Sequence, residues 1–455
     1  MGDMKTVQHV FLNKEESRRA EKLADALDPH ARLTLPELYA NPRAETLPKN
    51  QHISQYNVPP APPNTRTKVQ GKPIDLETAK AVRRILFGDA THFFTKDWQR
   101  YRFHFRDPAS AIPYGLNCNS AGARAFCLCM QCYILKHLLF VDAEDEDKPF
   151  GRAPPEPTSA EQTTALINAI CDILWKLSHT IHSEDDNIEK KQVIVSLPGD
   201  SPCFETLGNF LADGLIEKLW LFTIVTQDEL RKFIKRNLHF FCDEGEQGGI
   251  LLMYSIVLSH TPETIHSELA QCQRSILTEN SRPTQAFINL LLSGAASCFV
   301  HNGVIKYDKH GRELEIPLPG PRKRSEIGFL FFDKTEGDDN RTTVGCMLRT
   351  PLLPIWITQV NGSYGLIFCT SRDLVADWKI ERFFTINYYT GHYTQVKATS
   401  ISVDTRRRAF LDPSREISYW DDEEEKERKQ PSLERTIGTK WPEALLNWNG
   451  ETPYY

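Results

Sequence analysis

The chain has 455 residues, of which 40% are hydrophobic and 25% charged, a balance typical of a globular protein that buries a core. Its net charge of −6 gives no electrostatic basis for binding nucleic acid or an anionic membrane. No apolar run approaches the roughly 20 residues of a membrane span, and the charged N-terminus lacks the apolar centre of a signal peptide.

The cysteines indicate the compartment. Eleven are spread along the chain without a short repeating frame. Because no secretory signal is present, we expect reduced thiols and an intracellular protein, either cytoplasmic or nuclear.

Composition predicts two regions. Residues 1–73 are expected to form a largely disordered tail that contains a proline-rich linker at 59–64. A compact domain is expected over residues 74–455, and its first helix stops at Gly88. An acidic, proline-rich stretch at 142–158 should be an exposed loop within this domain.

Helices dominate the next part of the chain. Ser159 and Gln162 form a capping-box pattern at a helix start, and Thr226 and Glu229 form a second one. Strands are predicted over 192–197 and 215–225, a buried helix over 250–260, and another helix after Pro283.

The residue pattern changes after Glu326, where short runs of strand-forming residues alternate with turn residues. These runs predict an antiparallel sheet, and helices followed by strands around one core indicate an α+β fold. A charged segment at 421–430 should be solvated. Trp441 and Trp448 are interpreted as core anchors.

The stretch from Tyr114 to Phe140 carries the strongest functional signal. A loop of small residues, 120–123, leads into an apolar helix predicted from about Arg124 to Leu139. A helix N-terminus stabilises a thiolate, because its free N–H groups and partial positive charge favour an anion. A cysteine hydrolase also needs a histidine to accept the thiol proton and a donor for the oxyanion. This layout is that of a cysteine-protease active-site helix with arginine at the nucleophile position.

This stretch resembles the active-site motif of the MINDY deubiquitinases, in particular an inactive form of the fourth paralogue. The family motif reads roughly Y-G-L-V-Q, two variable residues, G-G-P-C, and an apolar helix that ends in K-L-L-F. Its beginning matches Tyr114–Leu116 and its end matches Leu138–Phe140, while Gly122 keeps the second motif glycine.

Further segments are similar to motifs of the same family. They are 325–330 (SEIGFL), 344–346 (VGC), 350–351 (TP), 353–356 (LPIW), 362–368 (GSYGLIF), 439–441 (TKW) and 447–450 (NWNG). The resemblance covers about residues 74–455. It implies a MINDY-type α+β domain, distantly papain-like, with a helical first part and an antiparallel sheet in the second part.

The resemblance also implies three catalytic positions, and each holds a different residue here. The family's oxyanion glutamine falls on Cys118, its nucleophilic cysteine on Arg124 and its general-base histidine on Ser363. Arg124 is no nucleophile because a guanidinium stays protonated, and Ser363 cannot accept a proton near neutral pH. We therefore predict a catalytically inactive homologue of ubiquitin carboxyl-terminal hydrolases. It would bind ubiquitin or polyubiquitin, or regulate an active relative.

Alternatives remain at this stage. Cys118 or Cys127 could serve as a relocated nucleophile, which would make the chain an active deubiquitinase. The available bases for Cys118 are His301, His310 and His392. A scaffold that has also lost ubiquitin binding is a third possibility. Cys127, Cys129 and Cys132 are interpreted as core residues rather than zinc ligands, and no cofactor is expected.

Overall fold

The computed structural model describes the following residues: 69–118, 122–141, 153–182, 189–205, 210–270, 275–308, 310–336, 342–406 and 430–451. The predicted N-terminal tail up to residue 68 and most of the charged segment at 421–430 lie outside this set. Strand β1 (Gly71–Pro73) is the first element.

Eleven α-helices lie in the described part of the chain. They are α1 (Leu76–Phe87), α2 (Lys96–Gln99), α3 (Arg124–Lys136), α4 (Ser159–Lys176), α5 (Gln227–Arg236), α6 (His239–Cys242), α7 (Gly248–His260), α8 (Pro262–Leu269), α9 (Gln285–Ser293), α10 (Cys346–Arg349) and α11 (Ser432–Gly438). A π-helical turn, His137–Val141, continues α3, and 3₁₀ turns span Ile216–Lys218, Arg372–Val375 and Ile380–Arg382.

The remaining strands are β2 (His179–His182), β3 (Glu189–Pro198), β4 (Leu219–Ile224), β5 (Val304–Tyr307), β6 (Glu313–Pro319), β7 (Gly328–Phe332), β8 (Ile355–Val360), β9 (Ser363–Phe368), β10 (Phe383–Tyr389), β11 (Thr399–Asp404) and β12 (Leu445–Asn447). They form a four-stranded sheet in the order β1-β4-β3-β2, a six-stranded sheet in the order β12-β11-β10-β9-β8-β7, and a β5-β6 hairpin. The α+β fold class is confirmed.

One strand pair departs from the predicted antiparallel sheet. Strands β7 and β8 run parallel, with Gly328 opposite Trp356, whereas the other pairs of this sheet are antiparallel. The connection between β7 and β8 includes helix α10, and parallel neighbours require such a crossover.

The local signals for helix ends are mostly confirmed. Gly88 ends α1 with φ of 88°, a conformation that glycine adopts without a steric penalty. The Thr226 side chain accepts a hydrogen bond from the Glu229 amide at the start of α5. The capping box of α4 is formed by Thr158 and Glu161, one residue before the predicted Ser159 and Gln162. The predicted strand at 215–225 begins only at Leu219, because a 3₁₀ turn precedes it.

The six-stranded sheet separates two apolar cores, because successive side chains of a strand point to opposite faces. Along β8, Ile355 and Ile357 join the large core that surrounds α3, whereas Trp356 joins a second core on the other face. Helix α11 packs on that second face. Trp441 and Trp448 lie in the second core at 5% and 7% exposure, which confirms their interpretation as core anchors.

Helix α3 is buried on all sides. It packs against β8, β9, α4 and α9, and its residues from Ala125 to Leu135 are all buried. By length and composition, Arg124–Val141 is long and apolar enough to cross a membrane, so the prediction that no run approaches that length is wrong. Of this segment, 67% is buried inside the protein, as expected of a core helix.

A charged cluster holds the C-terminal end of α3. Lys136 Nζ lies 2.8 Å from Asp172 Oδ2 and 3.0 Å from Glu326 Oε1. His137 Nε2 lies 2.9 Å from the same oxygen of Asp172, and Lys176 Nζ lies 3.4 Å from Glu326 Oε2. These pairs join α3 to α4 and to the segment before β7.

Gln131 fixes the loop that precedes α3. Its side chain is fully buried; Oε1 accepts a 2.6 Å hydrogen bond from the Leu116 amide, and Nε2 donates a 2.8 Å bond to the Tyr114 carbonyl. Two buried backbone groups of the loop therefore depend on one side chain of the helix.

We predict that Gln131→Leu lowers the free energy of unfolding by about 2–4 kcal/mol, because it leaves both backbone groups buried without a partner. Urea denaturation measures the loss. The exposed Gln227→Leu is the matched control and should change stability by no more than about 0.5 kcal/mol. Equal effects of the two substitutions would contradict the role given to Gln131.

The charged cluster predicts an acid-dependent stability. Burial raises the pKa of Asp172, but hydrogen bonds from His137 and Lys136 outweigh it and hold that pKa below its usual 3.8. Burial also raises the pKa of Glu326, yet Lys176 and Lys136 bring it below 4.5. A carboxyl with a depressed folded pKa stabilises the fold above its unfolded pKa, and this stabilisation is lost as the pH falls through the folded value.

Asp172→Asn should therefore reduce the free energy of unfolding by about 1–3 kcal/mol at neutral pH, and the deficit should shrink as the pH falls below about 4. Urea denaturation at several pH values between 7 and 3 provides the measurement. The exposed Asp200→Asn is the control. A deficit that does not change with pH would show that Asp172 acts through packing rather than charge.

Candidate active site

A cleft of about 160 Å³ opens at the N-terminus of α3. Arg124, the first residue of α3, and Ser363, the first residue of β9, both line it. The chain reverses direction just before Ser363 at Asn361 and Gly362, whose φ angles are 49° and 76°. The structure therefore brings together two of the three positions that the resemblance assigned to catalysis.

The start of α3 is closely packed against α2. A Cβ at Gly122 would lie 3.2 Å from Trp98 Nε1, so the small residue permits this approach. Trp98 stacks on Phe126 at 5.8 Å between ring centroids and donates a 2.6 Å hydrogen bond to the Ser281 carbonyl. Among the described residues, no side-chain hydrogen bond caps α3 at Ala123, and the first-turn amides of the helix lie at its cleft end.

The charge of the cleft is positive. Arg282 lines it together with Arg124, and no acidic residue of the described chain does. Sequence reasoning missed Arg282, since it lies far from Arg124 in the chain and no motif joins the two.

The described residues of the cleft include no group that could activate a nucleophile. Among the described residues, neither a cysteine nor a histidine lines it. The Arg124 guanidinium stays protonated, and the Ser363 hydroxyl is not a base near neutral pH. The cleft can donate hydrogen bonds and attract an anion, but its described side chains cannot form a thiolate–imidazolium pair.

Cys118 is buried and bonded to Cys127. The two residues form a disulfide with their Cα atoms 5.9 Å apart, and both are fully buried. The expectation of reduced thiols is therefore wrong for this pair, because the loop before α3 folds back onto its first turn. The Cys118 amide donates a 2.9 Å hydrogen bond to the Gly391 carbonyl. A Cβ at Gly391 would lie 2.6 Å from Cys118 Cβ, so only glycine permits this contact.

The three candidate histidines lie in different places. His392 is the next residue after Gly391, which contacts Cys118. The Nδ1 atom of His392 lies 2.7 Å from Thr394 Oγ1. His301 precedes β5, and the exposed His310 lies in the connection between β5 and β6. None of the three lines the cleft.

A network of hydrogen bonds holds the His392 loop to the loop before α3. Arg106 donates 2.6 Å hydrogen bonds to the carbonyls of Gln395 and His392, and its Nε lies 3.2 Å from Tyr389 Oη. The Tyr389 hydroxyl in turn donates a 2.6 Å bond to the Leu116 carbonyl. No sequence motif pointed to this network, because its members are distant in the chain.

The other cysteines of α3 are core residues, as interpreted from the sequence. Cys129 and Cys132 are fully buried, and burial raises the pKa of each thiol well above its usual range. Such thiols are unreactive, because the apolar surroundings disfavour the thiolate. Within the described residues, no group of three His, Cys, Asp or Glu side chains is arranged to hold a metal ion.

Comparisons with known proteins agree with the motifs. The family described as "Deubiquitinating enzyme MINDY-3/4, conserved domain" matches residues 83–450. The chain is 32% identical over 394 residues to probable ubiquitin carboxyl-terminal hydrolase MINDY-4 of Mus musculus, covering 86% of this chain and 49% of the mouse protein. The Homo sapiens MINDY-4 is 30% identical over 394 residues, covering 87% and 48% of the two chains.

A more distant relative is ubiquitin carboxyl-terminal hydrolase MINDY-3 of Danio rerio, which is 25% identical over 268 residues, 54% of this chain and 55% of the fish protein. No solved structure matches the chain. The chain spans about half the length of the curated MINDY-4 relatives that it matches. With a family domain over residues 83–450, the chain belongs to the MINDY-3/4 family of deubiquitinating enzymes.

Proposed function

We propose that this chain is a catalytically inactive member of its family, which binds ubiquitin or polyubiquitin without cleaving it or regulates an active relative. One observation carries the proposal: the cleft at the start of α3 holds Arg124 and Ser363, and no thiol or imidazole of the described residues lines it. The family domain around this cleft supports a retained protein-binding role.

Each of the three altered positions removes a separate element of the chemistry. Arg124 removes the nucleophile and adds a permanent positive charge at the helix N-terminus. Ser363 removes the general base. Cys118 cannot supply the amide donor of a glutamine, and its sulfur is held in the disulfide with Cys127.

The alternative function is an active cysteine-type deubiquitinase that uses Cys118. The hydrogen bond between Cys118 and Gly391 favours this alternative, because His392 is the next residue in the chain after Gly391. This function requires reduction of the Cys118–Cys127 bond and movement of Cys118 to the surface, since its side chain is fully buried.

We predict that the full chain is not labelled by a ubiquitin probe with a C-terminal vinyl electrophile, with or without reductant, because no thiol of the described residues lines the cleft. Mass spectrometry of the intact protein measures labelling. Cys346 is the exposed cysteine among the free thiols of the described residues, so Cys346→Ala separates reaction at the surface from reaction at the site. Labelling that persists in Cys346→Ala and disappears in Cys118→Ala would establish the active alternative.

Binding of polyubiquitin should be measurable by calorimetry in the micromolar range, and the chains should remain uncleaved. Ser363→Trp should weaken the binding at least about tenfold, equivalent to about 1.4 kcal/mol, because the indole would fill the small cleft. Thr223→Trp on the exposed face of β4 is the matched control. Absence of binding at high micromolar concentration would favour a scaffold that has lost ubiquitin recognition.

A further inference from the structure

We infer that the cleft at the start of α3 is a carboxylate-binding site that selects a free peptide C-terminus over a conjugated one. The inference deepens the proposed function and rests on it. Its first support is the charge of the lining, which combines the guanidinium groups of Arg124 and Arg282 with no carboxylate from the described chain.

Neither guanidinium is neutralised within the described part of the protein. Every ion pair recorded there involves other residues: Lys80, Arg83, His92, Lys136, His137, Lys176, His260, Arg312, Lys397, Arg406 and Lys440 supply the positive partners. Two neighbouring positive charges without a counter-ion repel each other, so an anion between them would be favoured.

Arg124 also has a hydrogen-bond donor that lacks an acceptor. Its Nε atom is buried and has no hydrogen-bond partner. A buried donor left unpaired destabilises the free protein, and a bound oxyanion would supply the missing acceptor. The unmatched donor therefore points to a ligand atom rather than to a structural role in the free protein.

The backbone at the start of α3 adds to the positive electrostatic potential of the cleft. Helix α3 has 13 residues, and its N-cap residue, Ala123, has no side-chain capping hydrogen bond among the described residues. Its first-turn N–H groups and partial positive charge attract anions, and they disfavour the positive charge of Arg124 itself unless an anion is bound. Ser363 adds a hydroxyl group to the lining, and the position of Gly362 is open, with nothing within 4 Å of a Cβ built there.

The kind of anion follows from the family. The curated relatives are named ubiquitin carboxyl-terminal hydrolases, so the equivalent cleft in an enzyme of this family would receive a ubiquitin C-terminus. In a conjugate, the terminal carbonyl belongs to a neutral amide. In free ubiquitin it is a carboxylate, which an arginine binds with two parallel charge-assisted hydrogen bonds. The exchange of the nucleophile for Arg124 therefore converts a site for cleaving the conjugate into a site for retaining the unconjugated end.

The test compares two forms of isotope-labelled ubiquitin, one with its free C-terminal carboxylate and one with that carboxylate converted to a carboxamide. Each is titrated with the unlabelled full chain at low salt and followed by NMR. We expect the acid to bind at least about tenfold more tightly than the amide, with the largest signal changes at the ubiquitin C-terminus. Arg124→Gln and the exposed Arg282→Gln should each reduce this preference.

Arg322→Gln is the matched control, since Arg322 is exposed and lies outside the cleft. Thermal melting of each variant identifies any that fail to fold, and the surface position of Arg282 keeps the test informative if Arg124→Gln is unstable. Equal affinity for acid and amide, or a preference unchanged in both cleft variants, would overturn the carboxylate site and leave ubiquitin binding intact. Failure of both forms to bind would overturn the proposed ubiquitin binding and this inference with it.

Discussion

Burial of helix α3 from Ala125 to Leu135 is the constraint on which the rest of the structure depends. The six-stranded sheet covers one side through β8 and β9, and α4 and α9 cover others. A helix so enclosed must have every polar group matched inside the protein. Gln131 meets this requirement in the middle of α3, and Lys136 meets it at the end through Asp172 and Glu326.

The same burial positions the cleft. With its body held in the core, α3 is partly exposed only at its end residues, Arg124 and Lys136, and Arg124 lines the cleft together with Ser363 at the start of β9. The loop that leads into this turn is fixed by Gln131 on one side and by Tyr389 on the other. Geometry of this kind is independent of which side chain occupies the first helical position. The scaffold can therefore be retained whichever residue stands at this position, and in this chain Arg124 places a positive charge there.

The disulfide between Cys118 and Cys127 belongs to this architecture. It links the loop to the first turn of α3 beneath the surface, next to Gly391. Cys118 therefore contributes to holding the loop, and the hypothesis of a relocated nucleophile has to account for its burial. The Arg106 contacts with Tyr389 and the His392 loop further stiffen this region.

The sequence by itself determined the fold class and most helices and strands, because these follow from local periodicity and capping residues, and its contiguous motifs indicated the family. It also identified Trp441 and Trp448 as core residues from their aromatic character. The tertiary structure alone decided the parallel pairing of β7 with β8, the bond between Cys118 and Cys127, and the presence of Arg124 and Arg282 in one cleft. These features join residues that are distant in the chain or lack any spacing signal. Their proximity follows from how whole elements pack, which no local pattern encodes.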